Sequence, residues 1–309
     1  MNDAVRYINQ EFNEKRFNRK HIDGYIRKEM TAHPVMQEVI QQGVAMIRAY
    51  IDKAVAGEYY ESKNARVLQL QNMDLETLVV DIFVGTSYCL KDELFTSVTA
   101  QMASRLRFSD KKEAITTVAE LLAVLCETNV FDIRKPHKMA SMTVISRLQL
   151  DEKLLKFIDE SQYLPPMVCE PLELVSNFCS GYLTHNDSLI LGSGNHHDGD
   201  ICLDVLNTMN RVELSLNLEF LCKVEEVQVN PAETYEQQTQ WDIFKKQSYQ
   251  FYDLIQSQGN VFHMTHKVDK RGRIYSQGYH INPQGTAFKK AMCDLATPEH
   301  IEVPEEYRT

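Results

Sequence analysis

Residues 165–171 read PPMVCEP, three prolines in seven positions. Each proline fixes φ and lacks an N–H donor, and each pushes the preceding residue out of the α region, so no regular helix crosses this stretch. The cluster divides the chain. Before it, apolar residues recur at helical spacing. After it come short alternating runs, Gly- and Asn-rich turns and renewed helix. The pattern predicts a mainly α chain with a small β portion (α+β). A helical N-terminal domain is expected over 1–160, and an extended proline-rich segment with a β-hairpin over 161–204. A helical hairpin follows over 205–258, then strands and a short helix over 259–309.

The N-terminal helices have identifiable signals. In HPVMQEVIQQGVAMIRAYIDKAV, Pro34 sits where a first helical turn tolerates it. Val35, Val39, Ile40, Ile47 and Ile51 then follow at helical spacing. In SDKKEAITTVAELLAVLCE, Asp110 is the expected N-cap, and Ile115, Val118, Leu122, Leu125 and Cys126 form one stripe. KRFNRKHIDGYIRKE (15–29) carries Phe17, Ile22, Tyr25 and Ile26 among basic residues. It reads as an amphipathic helix docking on the body, with contact to nucleic acid or a partner as the alternative. Downstream, SGYLTHNDSLILGSGNHHDGDI predicts two short strands with polar turns. LDVLNTMNRVELSLNLEFLCKVEEV (203–227) and YEQQTQWDIFKKQSYQFYDLIQSQ (235–258) predict two long helices joined near Asn230-Pro231.

Composition bounds the function. Hydrophobic residues make up 43% and charged residues 25% of 309 positions, as in ordinary globular proteins. No basic stretch leads into an apolar run at the start, and no window approaches a membrane span, so no secretory or membrane role is expected. The seven cysteines are scattered without a C-x-x-C pair and read as reduced core residues. Net charge is -10, which disfavours a basic nucleic-acid coat but not a local positive face. Between 261 and 290, Lys267, Lys270, Arg271, Arg273, Lys289 and Lys290 face Asp269 alone, and the tail TPEHIEVPEEYRT turns acidic.

The densest chemistry lies in VDKRGRIYSQGYHINPQG (268–285). Arg271 and Arg273 flank Gly272, so on a strand or tight bend both guanidinium groups can project to one side. Guanidinium suits bidentate phosphate binding, and a missing Cβ at Gly272 lets a phosphate backbone come close. Asp269 can hold an arginine in place, and Tyr275 offers an aromatic face for sugar or base. A surface turn closed by a salt bridge has the same spacing. His263, His266 and His280 flank this knot and read as structural. GNHHDGD (194–200) invites a metal-site reading through His196, His197, Asp198 and Asp200, but adjacent histidines on a turn diverge, and a polar tip fits better. No Walker loop, G-x-S-x-G or G-x-G-x-x-G occurs.

D-K-R-G-R-I-Y followed by N-P-Q-G resembles the D-x-x-G-R region of single-subunit RNA polymerases, the phage and mitochondrial type. Asp269, Gly272 and Arg273 fall on its fixed positions, and Tyr275, Asn282, Pro283, Gln284 and Gly285 match its continuation. PPMVCEP with SGYL (180–183) is similar to the family's P-M-V-x-x-P and G-G-Y, although Leu172 replaces the usual Trp and Ser180 the first Gly. LDVLNTMNRVELSLNLEFL is similar to the helix that opens the thumb, with Asn217 on the family's asparagine. The likeness spans roughly 70–300.

The resemblance implies a thumb-like helical hairpin over 205–258 and the start of a palm over 259–309. Neither metal-binding palm aspartate of the family, nor its basic fingers helix, has a counterpart in these residues. The expectation is a small subunit of a two-subunit, phage-type DNA-directed RNA polymerase, acting in the cytoplasm of an infected host cell. A second subunit would form an obligate heterodimer with it and hold magnesium on its own aspartates, while this chain binds no metal and is inactive alone. Lys267, Asp269, Lys270, Arg271, Gly272, Arg273 and Tyr275 would face the DNA template and RNA–DNA hybrid, and a promoter- or single-strand-binding helper protein would be a further partner. The alternatives are a non-catalytic helical nucleic-acid-binding adaptor and a metal hydrolase built on GNHHDGD.

Overall fold

The computed structural model describes residues 2–136, 141–160, 163–192, 194–228 and 230–298. It is 54% helical with about 10% strand in small sheets, so the chain is mainly α with a small β portion. The acidic run expected at the C-terminus lies, from residue 299 on, outside the described residues. No helix among the described residues is long and apolar enough to cross a membrane. The chain forms two compact units, Arg19–Asp159 and Met1–Asn18 with Glu160–Thr309. The helical domain expected over 1–160 therefore starts at Arg19, and the first helix, α1 (Asp3–Phe17), belongs to the other unit.

The Arg19–Asp159 unit contains α2 (Arg19–Ala32), α3 (Pro34–Val55), α4 (Glu61–Leu68), α5 (Leu75–Ser87), α6 (Phe95–Met102), α7 (Lys111–Leu125) and most of α8 (Glu152–Glu160). Helix α5 is its centre, with Leu78, Val79, Val80, Ile82, Phe83 and Val84 all buried. Helix α3 packs on it through Ile40, Gly43, Ile47 and Ile51, whereas Val35, expected on that stripe, is 59% exposed. Gly43 marks the close approach: a Cβ there would lie 2.9 Å from Val79 and 3.1 Å from Leu125. Asp110 caps α7 as expected, accepting from the Lys112 and Glu113 amides at 2.6 and 3.0 Å.

The basic segment 15–29 is split by Asn18. Ile22 and Ile26 are fully buried in the helical core, Arg19 lies over the Tyr88 ring and Arg27 pairs with Asp81. The docked-helix reading holds for this part. A three-stranded antiparallel sheet was not expected here: β1 (Glu93–Leu94), β2 (Phe131–Arg134) and β3 (Thr143–Ser146), ordered β1-β3-β2. Runs of two to four residues are too short to show a period in sequence.

In the second unit, the proline segment forms no helix, as predicted, and Met167 bridges His263 before bends at Val168 and Cys169. The hairpin expected over 180–201, within the 161–204 segment, is absent among the described residues, where only the bridge of Ile190 to Val268 forms. Short polar side chains satisfy the backbone locally instead, which competes with a strand ladder. Asn177 donates to the carbonyls of His197 and Gly199, and Asn186 accepts from the Ser180 amide.

The helix expected over 203–227 is also interrupted. It comprises α9 (Leu203–Asn210), β4 (Leu214–Leu216) and α10 (Leu218–Lys223). Val212, Leu214 and Leu216 alternate with polar residues, a period of two embedded in a helical pattern. β4 finds its partner in β7 (Cys293–Leu295), about eighty positions on, with Leu216 opposite Cys293. The helical hairpin over 205–258 thus has one long arm, α11 (Tyr235–Ser257), opened by a capping box of Thr234 and Gln237. Strands β5 (Thr265–Val268) and β6 (Ile274–Gln277) pair antiparallel, and α12 (Ala287–Ala291) follows. Phe251, Ile255, Phe262, Met264, Ile281 and Met292 form the core beneath them.

Candidate nucleic-acid interface

The basic knot is the turn of the β5–β6 hairpin. Val268 pairs with Ile274, leaving Asp269 to Arg273 to close the loop. The Asp269 amide donates to the Arg273 carbonyl and the Gly272 amide to the Asp269 carbonyl, each at 2.9 Å. Gly272 has φ +78°, the left-handed value that a three-residue hairpin loop requires at its last position. A Cβ at Gly272 would meet nothing within 4 Å, so the glycine is needed for its backbone angle, and the space above it is open.

Asp269 organises both arginines. Its Oδ1 accepts the backbone amides of Arg271 (2.8 Å) and Arg273 (3.1 Å). Its Oδ2 accepts from Arg273 Nε at 2.9 Å, with Arg273 Nη2 in ion-pair contact at 2.9 Å, and from Arg271 Nε and Nη2 at 3.3 and 3.2 Å. Partial shielding would raise the Asp269 pKa, but the Arg273 amide and guanidinium outweigh it and hold the carboxyl below its usual range. The same pairing raises Arg273. The carboxylate is only 16% exposed, while the arginine side chains are 65% and 53% exposed. Each guanidinium therefore turns one edge inward to Asp269 and keeps its remaining N–H groups for an outside acceptor. Exposed Lys270 adds a third cation to the same turn, a field suited to a phosphate.

Two expected members behave differently. Lys267 stands opposite Tyr275 across the hairpin, but its ammonium is bonded to Asp187 at 2.8 Å and only 17% exposed, so it braces the 187–191 segment. Tyr275 is 37% exposed with its hydroxyl 3.5 Å from Asp269 Oδ2, which places an aromatic ring beside the arginines.

The Asn-Pro-Gln-Gly turn supports the hairpin from behind. Pro283 occupies the second position of a turn closed by the Gly285 amide on the Asn282 carbonyl, at 3.0 Å. The Gln284 side chain acts as a short substitute strand, its Oε1 accepting from the Ser276 amide and its Nε2 donating to the Ile274 carbonyl. Asn282 donates to the Gly278 carbonyl at 2.8 Å. Asn282, Pro283, Gln284 and Gly285 are thus architectural, fixing β6 and with it the turn.

The three histidines are buried. His263 and His266 meet the Asn210 carbonyl and side chain through Nδ1, and His280 meets Ser248 Oγ at 2.8 Å. Burial lowers all three, His280 to about 4. The GNHHDGD tip is exposed, with His196 held by Ser188 and Asp198. No group of three or more potential metal ligands occurs among the described residues, so the metal-site reading of this tip finds no geometry.

Upstream motif residues take structural roles. Asn217 caps α10 by accepting from the Phe220 amide. Ser180 bonds the His185 carbonyl, and Gly181 (φ +75°) packs where a Cβ would lie 3.2 Å from Pro171. A further anchor had no signal in the sequence. Glu14 of α1 is fully buried, accepting from the Leu183 and Thr184 amides at 2.9 and 2.8 Å and from Gln10. Burial alone would raise its pKa, but His185, Gln10, Thr184 and the Leu183 amide hold it down to about 2. Helix α1 is inverted: Gln10, Asn13 and Glu14 are buried while Val5, Ile8 and Phe12 are exposed. No protein-family model and no curated protein matches the chain.

Proposed function

We propose that this chain is the template- and hybrid-contacting subunit of a DNA-directed RNA polymerase of the single-subunit type. A second subunit carries the fingers and the aspartates that hold magnesium, and the two act in the host cytoplasm. Arg273 grips a backbone phosphate close to the reacting strand, Asp269 orients it, and Arg271 and Lys270 add charge along the backbone. The supporting observation is the Asp269 carboxylate: it ties two exposed arginines into one rigid turn, on the positions that resemble the polymerase motif. Phosphoryl transfer gains most from positioning and charge, and a preorganised guanidinium supplies both without titrating.

The test is Arg273→Ala in the tagged chain purified with its partner. Assembly is expected to survive, while magnesium-dependent extension of a primed RNA on a DNA template falls one to two orders of magnitude. Unchanged extension would overturn the role of Arg273. Hybrid binding without templated synthesis in any complex would overturn the polymerase reading in favour of a nucleic-acid-binding adaptor.

A further inference from the structure

One large concavity of the second unit lies away from the basic turn. It is bounded by α10 and the loop after it, by α11 and by α12, and encloses about 1350 Å³. Small-molecule pockets usually hold about 300–1,000 Å³, so this trough fits a segment of polymer better than one compact ligand. Its apolar lining is aromatic: Trp241 stacks on Phe244 at 5.2 Å, and Phe220 lies 5.3 Å from Phe288. Exposed Val224 and Val227 extend the apolar surface along the loop.

The charges lining the trough decide what kind of polymer fits. Lys289 is its cation, and it is already committed. The ammonium donates to the Tyr279 carbonyl and lies 5.1 Å from the Phe244 and Tyr279 rings. Against it stand Glu225, Glu226 and Glu233. Glu225 is paired with Lys245 at 2.9 Å. Glu226 is buried at the trough, and burial raises its pKa against the pull of Lys289, Lys245 and a Thr286 hydrogen bond, so its carboxylate still gains from a further cation. No ion pair joins Glu233 among the described residues. Such a lining repels a phosphodiester backbone. It equally repels the chain's own residues 299–309, whose Glu299, Glu302, Glu305 and Glu306 outnumber Arg308.

We infer that this trough is a docking site for a segment of a second polypeptide carrying Lys or Arg next to an aromatic or aliphatic anchor. The anchor enters between Trp241 and Phe288, displacing water from aromatic surface, and the cation meets Glu226 and Glu233. The inference takes from the proposed function only that a second polypeptide exists.

The experiment places p-benzoylphenylalanine at Gln240, which lines the trough from α11, in the full tagged chain. The native complex is irradiated, and the attached residues are sequenced by mass spectrometry. The expected product joins Gln240's position to one stretch of another polypeptide with a basic residue within three positions of an apolar anchor. Its yield should fall roughly tenfold with Glu226→Gln and Glu233→Gln together. Attachment to nucleic acid, to residues 299–309, to a second copy of this chain or to an acidic segment overturns the inference, as does no attachment. Trp241 is the chain's single tryptophan, so the unsubstituted protein supplies an independent readout. Its emission should shift to shorter wavelength in the complex, and identical spectra free and bound would also overturn the inference. Neither measurement depends on RNA synthesis, so its failure and that of the polymerase reading are distinguishable.

Discussion

The Glu14 carboxylate accepts the Thr184 amide at 2.8 Å across 170 positions of sequence. Together with the Leu183 amide, the Thr184 hydroxyl and Gln10, it binds α1 to a segment that has no strand ladder of its own. Glu14→Gln keeps one acceptor and turns an NH₂ group towards donors, so a loss of roughly 2–4 kcal/mol is expected. Urea unfolding followed by circular dichroism measures it. The pH dependence has a definite sign. A carboxyl held at about 2 binds fewer protons when folded, so its stabilisation is complete above the usual 4.5 and disappears as pH falls towards 2. The Gln variant should lose this acid-range slope.

His280 gives a second window. Burial holds it neutral, at about 4 against an ordinary 6.5. The unfolded chain therefore binds the extra proton first, and stability complete above pH 6.5 falls as pH drops towards 4. The loss is on the order of 3 kcal/mol. His280→Gln, which keeps an acceptor for Ser248, should flatten the unfolding midpoint across that window while lowering it at pH 7. An unchanged slope would assign it to His263 and His266, which burial shifts the same way.

Legibility in the sequence followed the length of each signal. Helices α7 and α11 have caps and many turns, and their bounds match expectation closely. Strand character around 265–277 was legible, but the hairpin that Gly272 closes was not, because the same residues fit a strand or a tight bend. β4 was not, because Val212, Leu214 and Leu216 fit either period and the deciding partner, β7, is remote. Glu14 was silent for the same reason, since the Leu183 and Thr184 amides it accepts from lie about 170 positions away. Lys267 resembled its basic neighbours, and only the fold places Asp187 beside it.

Gly43→Ala sets two effects against each other. Helix propensity favours alanine by about 1 kcal/mol. The added Cβ would lie 2.9 Å from Val79, whose helix is buried over Leu78–Val80 and Ile82–Ser87 and has little room to retreat. Overpacking of about 1–3 kcal/mol should win, giving a net loss measurable as a lower unfolding midpoint.

Gly272→Ala isolates backbone strain, because the Cβ enters open space. An alanine at φ +78° is expected to cost about 1–2 kcal/mol, and Gly272→Asn less, since asparagine tolerates that region better. Hybrid affinity should fall in the same order, measured by fluorescence anisotropy with a labelled RNA–DNA duplex. Equal affinity in all three would mean that the turn's shape does not matter to binding.

Asp269 and Arg273 make opposite predictions under two views of the turn. If charge alone governs binding, Asp269→Asn adds positive charge and tightens hybrid binding. If orientation governs it, the freed guanidinium regains side-chain entropy that binding must remove again, about 0.5–1.5 kcal/mol. The geometry favours orientation, because one carboxylate oxygen meets both Nε and Nη2 of Arg273. Asp269→Asn should therefore weaken binding about threefold despite its charge. Arg273→Ala should weaken it by about 1–3 kcal/mol and reduce the salt slope by about one phosphate. Because Asp269 acts partly through Arg273, the double variant should fall short of the sum of the singles. Anisotropy titrations across a salt series read all four corners of the cycle. Tighter binding by Asp269→Asn would recast the carboxylate as a brake on the site.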